Sequence, residues 1–115
     1  MIIKMSILEQ KKTLAHIYNS VAKELFGTGT TFLKVSIHDN VITFHAKHHR
    51  SPRSAALEGE DPNLKMEVDF RMSQLYKKKL KEKIEQELHL PLEAVLRDYD
   101  GATQLAFTNI VLSDI

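Results

Sequence analysis

Residues 70–90 read FRMSQLYKKKLKEKIEQELHL, and this stretch carries the strongest helical pattern in the sequence. Its apolar residues recur at helical spacing and form one stripe along the run: Met72, Leu75, Tyr76, Leu80, Ile84 and Leu88. Most other positions are Lys, Glu or Gln, which favour helices, and no Gly or Pro interrupts them before Pro91. A helix with one apolar stripe and an otherwise charged surface is expected to pack this stripe on a hydrophobic core.

Composition indicates one small domain over residues 1–115, since 115 residues have room for one core. There is no Cys, which removes disulfides, thiolate catalysis and Cys-based metal sites. A net charge of +1 gives no overall attraction to nucleic acid or anionic lipid. The first residues are too polar for a signal peptide, and no apolar run approaches the roughly 20 residues that cross a bilayer. We therefore expect a soluble, cytoplasmic protein that is not membrane-embedded.

The sequence before the long helix predicts a first helix and a hairpin. Ser6 and Glu9 have the spacing of a capping box, and Gly27 ends the apolar helical pattern that follows. Two strand-like runs then flank Asp39 and Asn40, which tolerate the positive φ of a tight hairpin turn. This turn brings the apolar side chains to one face in three pairs: Ile37 with Ile42, Val35 with Phe44, and Leu33 with Ala46.

Residues 45–63 collect Pro, Gly, Ser and charge, which predicts a connection at the surface. One short helical turn can follow Ser51-Pro52. Asp61-Pro62 can begin the long helix, but four residues after it alternate like a strand: Leu64, Met66, Val68 and Phe70. The start of the long helix is therefore left open.

Residues 94–112 predict a second hairpin, with Asp100-Gly101 as a two-residue turn. This register pairs Leu96 with Leu105 and Ala94 with Phe107 on one face, taken as the core face. The opposite face then carries a second apolar set: Val95, Ala106, Ile110 and Leu112.

This second apolar set needs an explanation, because a solvated sheet face is ordinarily polar. Either a bulge switches the faces near Thr108, or another subunit or a partner covers this side of the hairpin. We take the four residues as a predicted protein interface, formed by a homodimer or with a partner protein.

The element order is helix, hairpin, helix, hairpin, which gives an α+β fold of αββαββ order. Two such units form a four-stranded antiparallel sheet with two helices on one face. The arrangement resembles a ferredoxin-like fold whose first strand has been moved to the end.

The histidines offer one cluster, formed by His38, His45, His48 and His49. On the predicted hairpin, His38 and His45 are separated by about 13 Å, and no Cys, Asp or Glu stands near His45 in sequence to complete a zinc site. We predict no metal site and no cofactor.

Catalytic candidates are also weak. Asp98 and Asp100 flank Tyr99, but Asp100 is explained by its turn and Asp98 can be neutralised by Arg97. No Ser or Thr lies in a recognisable nucleophile elbow, so we predict that the protein is not an enzyme.

Two basic segments, residues 45–53 and 77–83, offer a phosphate-contacting surface. The candidate anion-binding residues are His48, His49, Arg50, Arg53, Lys77, Lys78 and Lys79. Three glutamates lie four residues after lysines of the second segment and neutralise part of its charge. The outer face of the first hairpin, which we take to carry Lys34, Ser36, His38, Thr43 and His45, has no aromatic side chain on which bases stack. Nucleic-acid binding is therefore the less favoured hypothesis.

Several motifs span nearly the whole chain: ELFGTG at the end of the first helix, FLKVSIHDNVITF, Ser51-Pro52, KLKEKIEQEL and VLRDYDGATQLAF. With these motifs the chain resembles the MpsC family, small bacterial proteins once known only as a domain of unknown function. The family is named for a sodium-translocating, membrane-potential-generating system. The chain differs from the family pattern at Thr30, Ser54 and Arg97, where the family usually has Pro, Glu and Ser.

The resemblance implies a cytoplasmic accessory or regulatory protein, associated with membrane systems that move ions or inorganic carbon. The family has no established catalytic residues, so the resemblance assigns none to this chain. Two functional hypotheses follow. The first is a non-enzymatic interaction module, a homodimer or a component of a membrane-transport complex. The second is a module that binds nucleic acid or an anionic surface through the two basic segments.

Overall fold

The computed structural model describes residues 6–49 and 52–113, without the side chains of residues 52–54. The described elements follow in chain order: α1 (Ile7–Phe26), β1 (Thr30–His38), β2 (Val41–His48), α2 (Pro52–Glu60), α3 (Pro62–Leu88), β3 (Leu92–Asp100) and β4 (Leu105–Leu112).

The four strands form one antiparallel sheet in the order β1-β2-β4-β3. The helices α1 and α3 pack on the same side of it and share one core with the sheet, while α2 packs on α3. This is the strand order that a ferredoxin-like fold takes when its first strand is moved to the end. The predicted α+β fold class is confirmed, with α2 as a third helix.

The first helix and hairpin follow the predicted local chemistry. The hydroxyl of Ser6 accepts the backbone N–H of Glu9 at 3.1 Å, and Gly27 ends α1 with a left-handed φ of 81°. Asp39 takes the positive φ of the hairpin turn, at 53°. The three predicted pairs form as expected: Ile37 with Ile42, Val35 with Phe44, and Leu33 with Ala46.

The long helix begins at the earlier of its two possible starts. Asp61 caps it by accepting the backbone N–H of Leu64 at 3.0 Å, and Pro62 occupies the first turn. The strand-like alternation that follows is therefore helical. Three residues of the predicted stripe, Tyr76, Leu80 and Ile84, are fully buried. The first half of α3 nevertheless leaves large apolar side chains exposed, at Leu64, Met66, Val68 and Phe70.

The second hairpin differs from its predicted register. Asp100 pairs with Leu105, so residues 101–104 form a four-residue loop in place of the two-residue Asp100-Gly101 turn. The carboxylate of Asp100 accepts the backbone N–H of Thr103 at 3.1 Å, and Gln104 takes the positive φ of 61°. Leu96 consequently lies opposite Asn109 and not opposite Leu105. The Asp-Gly pattern was overridden by this Asx-type loop.

The core side of the second hairpin is the reverse of the predicted one. Ala106, Ile110 and Leu112 are buried beneath the helices, and Val95 packs against the same core. The residues that were taken as the core face are more exposed: Leu96, Leu105 and Phe107. No change of face occurs near Thr108, which is itself fully buried on the core side.

Candidate functional site

The sheet surface opposite the helices is called the open face here, because α1 and α3 pack on the other side of the sheet and α2 packs on α3. Cross-strand partners in an antiparallel sheet point to the same side, so the strand pairing orders this face into rows. The central row consists of Lys34, His45, Phe107 and Asp98, one residue from each strand. The rows on either side consist of Phe32, Lys47, Leu105 and Asp100, and of Ser36, Thr43, Asn109 and Leu96.

Three rings form a continuous group on the open face. The rings of His45 and Phe107 are stacked, with centroids 4.3 Å apart and an angle of 12° between their planes. Phe32 meets the other side of His45 edge-on, at 5.0 Å. Phe32 and Phe107 each remain 46% exposed, and Leu96 is 57% exposed. Ring and aliphatic surface of this size, next to charged residues, is typical of a contact surface.

The charges of the open face divide between its two halves, with cations on β1 and β2 and carboxylates on β3. Lys34 on β1 and Lys47 on β2 are exposed, as are Asp98 and Asp100 on β3. Each pair lies in two successive rows, so the central row begins with a cation and ends with a carboxylate. With a strand spacing of about 4.8 Å, Lys34 and Asp98 are separated by roughly 14 Å across one chain. They are therefore too far apart to neutralise each other.

The predicted protein interface of Val95, Ala106, Ile110 and Leu112 is wrong, because these side chains belong to the core of the chain itself. The error has a physical cause. Alternation with a period of two separates the side chains into two sets, but it does not say which set faces inward when both are apolar. The prediction that the outer face of the first hairpin has no aromatic side chain is also wrong, since Phe32 lies on that face and is exposed.

A buried polar cluster lies on the core side of the sheet, centred on Arg97. Its Nη1 donates to the hydroxyl of Tyr18 at 2.9 Å and to that of Thr108 at 3.0 Å. Its Nη2 lies 3.2 Å from Nε2 of His48, and its guanidinium carbon lies 4.0 Å from the ring centroid of Tyr76. All of these partners are neutral. Among the described residues, no carboxylate forms an ion pair with Arg97.

His48 is held neutral within this cluster. Burial, and then the positive charges of Arg97 and His49, lower its pKa to about 3. Its Nε2 lies within hydrogen-bond distance of two donors, the hydroxyl of Tyr18 at 2.9 Å and Nη2 of Arg97. The hydrogen-bond pattern therefore assigns the proton to Nδ1, which is buried and has no hydrogen-bond partner among the described residues.

No pattern in the sequence predicted the polar cluster around Arg97. Arg97 was paired with its neighbour Asp98, although adjacent residues of a strand point to opposite sides of the sheet. The two-residue alternation along the strand could have shown this, because Arg97 alternates with the inward-facing set of β3 and Asp98 with the exposed set. The partners of Arg97 come from α1, α3, β4 and the end of β2, and no sequence pattern links them.

The candidate anion-binding residues that the structure describes differ in their surroundings. His48 is buried and neutral, so its assignment as an anion-binding residue is wrong. His49 and Lys78 are exposed, while Lys79 forms an ion pair with Glu24 at 3.5 Å. Arg50 and the side chain of Arg53 lie outside the described residues. Lys77 lines a cavity beside α3, and Arg97 on β3 lines the same cavity.

Neither a metal site nor a membrane span is found in the described part of the chain. Within residues 6–49 and 52–113, no group of three or more His, Asp or Glu residues is arranged to hold a metal ion. None of the helices described above combines the length and the apolar character needed to cross a bilayer.

Comparisons with protein-family models, with curated proteins and with solved structures found no match to this chain. The resemblance to the MpsC family therefore remains a prediction from the motifs.

Proposed function

We propose that this protein is a non-enzymatic interaction module that forms a homodimer through the open face of its sheet. The observation that carries the proposal is the central row, in which Lys34 and Asp98 stand at opposite ends with His45 and Phe107 between them. Such a row is complementary to its own copy after a twofold rotation.

The dimer geometry follows from symmetry. In a twofold dimer each contact occurs twice, with the two partners exchanged. An axis that runs along the strands, between β2 and β4, places β1 of one copy over β3 of the other. Lys34 then faces Asp98 of the partner subunit, and His45 faces the partner subunit's Phe107. Two sheets that pack face to face are about 10 Å apart, a gap that the exposed aromatic and leucine side chains fill.

The biological role that we propose comes from the MpsC resemblance. The dimer acts as a cytoplasmic accessory or regulatory protein of a membrane system that moves ions or inorganic carbon. Within that role, the open face holds two copies together, and the outer surfaces of the helices remain available for a component of the transport system.

Light scattering coupled to size-exclusion chromatography tests the dimer. We expect a mass of twice the 13.2 kDa of one chain, falling toward the monomer on dilution. Lys34→Glu and Asp98→Lys should each raise the dissociation constant by about tenfold or more, because like charges then face each other across the interface. The double variant Lys34→Glu/Asp98→Lys should restore association.

Rescue in the double variant is informative because Lys34 and Asp98 do not reach each other within one chain. Lys78→Glu provides the matched control, since Lys78 is exposed on α3, on the helix side of the sheet. It should leave the dissociation constant unchanged. A strictly monomeric protein at high concentration, or an equal effect of Lys78→Glu and Lys34→Glu, would contradict the proposed interface.

A second candidate function is single-stranded nucleic-acid binding by the open face. It is favoured by the ring group of Phe32, His45 and Phe107, because bases stack on exposed aromatic side chains of sheets. The carboxylates of Asp98 and Asp100 on the same face oppose it by repelling phosphates. Salt-dependent binding of a fluorescent single-stranded oligonucleotide that is lost in Phe107→Ser would support this function. No binding at low salt would remove it.

A further inference from the structure

A cavity of about 510 Å³ lies between the first half of α3 and the end of β3 with its following loop. Two residues of the open face, Asp98 and Asp100, also line it. The residues that line it and bear on its chemistry are Met66, Phe70, Lys77, Arg97, Tyr99 and Gly101. Its volume falls in the range of about 300 to 1,000 Å³ that small-molecule sites occupy.

Four acidic residues also line this cavity: Glu58, Asp69, Asp98 and Asp100. Asp69 forms an ion pair with the buried Lys65 at 2.6 Å. The carboxylate of Asp100 accepts hydrogen bonds from Thr103 in its own loop. Asp98 and Asp100 also belong to the open face, and Glu58 has an interaction partner of its own.

Two other basic side chains at the cavity, those of Lys77 and Arg97, differ from that of Lys65. Within the described ranges, neither Arg97 nor Lys77 forms an ion pair with a carboxylate. The guanidinium of Arg97 is bonded to neutral groups alone, and its Nε is buried without a hydrogen-bond partner among the described residues. A partly buried cation without a counter-charge is unfavourable, and an anion in the cavity would compensate it. Lys77 and Arg97 therefore offer the cavity two cationic groups that no carboxylate of the described residues pairs.

The opposite wall of the cavity is apolar and exposed to solvent. Met66 and Phe70 are one helical turn apart on α3, and they are 71% and 62% exposed. Residues of this size that line a cavity and are left open to water are typical of a site that a ligand covers. Lys77 lies two turns after Phe70 on the same side of the helix, so the cationic and apolar parts of the wall are continuous.

From this arrangement, we propose that the cavity binds a small organic anion with an apolar or aromatic body. The anionic group lies at Lys77 and the Arg97 end of the cavity, and the apolar body lies on Met66 and Phe70. Met66, Phe70, Lys77 and Arg97 do not belong to the open face, but Asp98 and Asp100 do, so the cavity borders the proposed dimer interface.

Titration with 8-anilinonaphthalene-1-sulfonate tests the site, because this probe joins a sulfonate to an aromatic body. Fluorescence should show saturable binding with one probe per chain, and nuclear magnetic resonance should show shifts of the backbone amides of Phe70, Lys77 and Gly101. The uncharged analogue N-phenyl-1-naphthylamine should bind at least tenfold more weakly. Equal affinity for the two probes, or shifts confined to the open face, would overturn the proposal.

Variants separate the site from other apolar surfaces. Lys77→Gln and Phe70→Ser should each raise the dissociation constant of the sulfonate probe by about tenfold, which corresponds to the loss of one charged or one aromatic contact. Both side chains are accessible to solvent, so folding is preserved. Lys78→Gln is the control for charge, and Phe107→Ser is the control for the open face. Unchanged binding in Lys77→Gln, or lost binding in Phe107→Ser, would contradict the assignment of the cavity.

Discussion

Nη2 of Arg97 lies 3.2 Å from Nε2 of His48, so a cation that no carboxylate of the described residues pairs contacts an imidazole that burial keeps neutral. Protonation of His48 in the folded protein would place two positive charges in contact in a buried site. The folded state therefore excludes this proton, while the unfolded chain accepts it at the ordinary pKa of 6.5.

The first prediction concerns stability at acidic pH. Because the pKa of His48 is lower in the folded state, stability is complete above pH 6.5 and falls as the pH drops toward 3. Between pH 7 and pH 5 we expect a loss of about 2 kcal/mol from this group alone. Urea unfolding at the two pH values measures it. The loss should disappear in His48→Gln and persist in His38→Gln, because the side chain of His38 is 92% exposed. An equal loss in His48→Gln would show that another group is responsible.

The second prediction distinguishes the two faces of β4. Ile110→Ala should lower the free energy of unfolding by about 2 to 4 kcal/mol, because it leaves a cavity in a fully buried part of the core. Phe107→Ala should have a smaller effect on dilute, monomeric protein, and it should weaken self-association. Chemical unfolding at low concentration, combined with light scattering, checks both. A larger loss of stability for Phe107→Ala than for Ile110→Ala would instead support the prediction that Phe107 lies on the core face.

The third prediction uses two glycines with different surroundings. A Cβ on Gly101 would lie 2.6 Å from Nζ of Lys65 and 2.7 Å from Oδ2 of Asp69. Gly101→Ala should therefore displace this ion pair and lower the free energy of unfolding by about 1 kcal/mol. Gly59 lies in α2 with no atom within 4 Å of such a Cβ, so Gly59→Ala should raise stability by up to about 1 kcal/mol. Thermal unfolding of both variants tests this contrast, and equal destabilisation would contradict it.

The sequence predicts most of the fold because local rules agree with one another there. The capping box at Ser6, the turn at Asp39 and the stripe that contains Leu80 each indicate a single structure. At the second hairpin the rules compete. The Asp100-Gly101 pair indicates a two-residue turn, whereas the side chain of Asp100 stabilises a longer loop by bonding to Thr103. A sequence pattern does not rank these two turn chemistries, so the register was wrong.

The polar cluster could not be found from sequence spacing, because its members come from distant parts of the chain. Tyr18, His48 and Arg97 are brought together by the packing of α1 on the sheet and by the pairing of β2 with β4 and of β4 with β3. Each of these residues fits the pattern of its own helix or strand, so none of them by itself indicates a buried polar cluster. The open-face row of Lys34, His45, Phe107 and Asp98 also depends on the pairing of all four strands.

Chemical cross-linking between subunits tests the central claim, which is that two copies associate through the open face. The sequence contains no Cys, so each introduced thiol is unique. Chains carrying Lys34→Cys are mixed with chains carrying Asp98→Cys and treated with a short bis-maleimide, which spans the gap of about 10 Å between two facing sheets. We expect a cross-linked dimer in this mixture and no cross-linked dimer when Lys78→Cys replaces Lys34→Cys. No cross-linking between Lys34→Cys and Asp98→Cys above that control would contradict it.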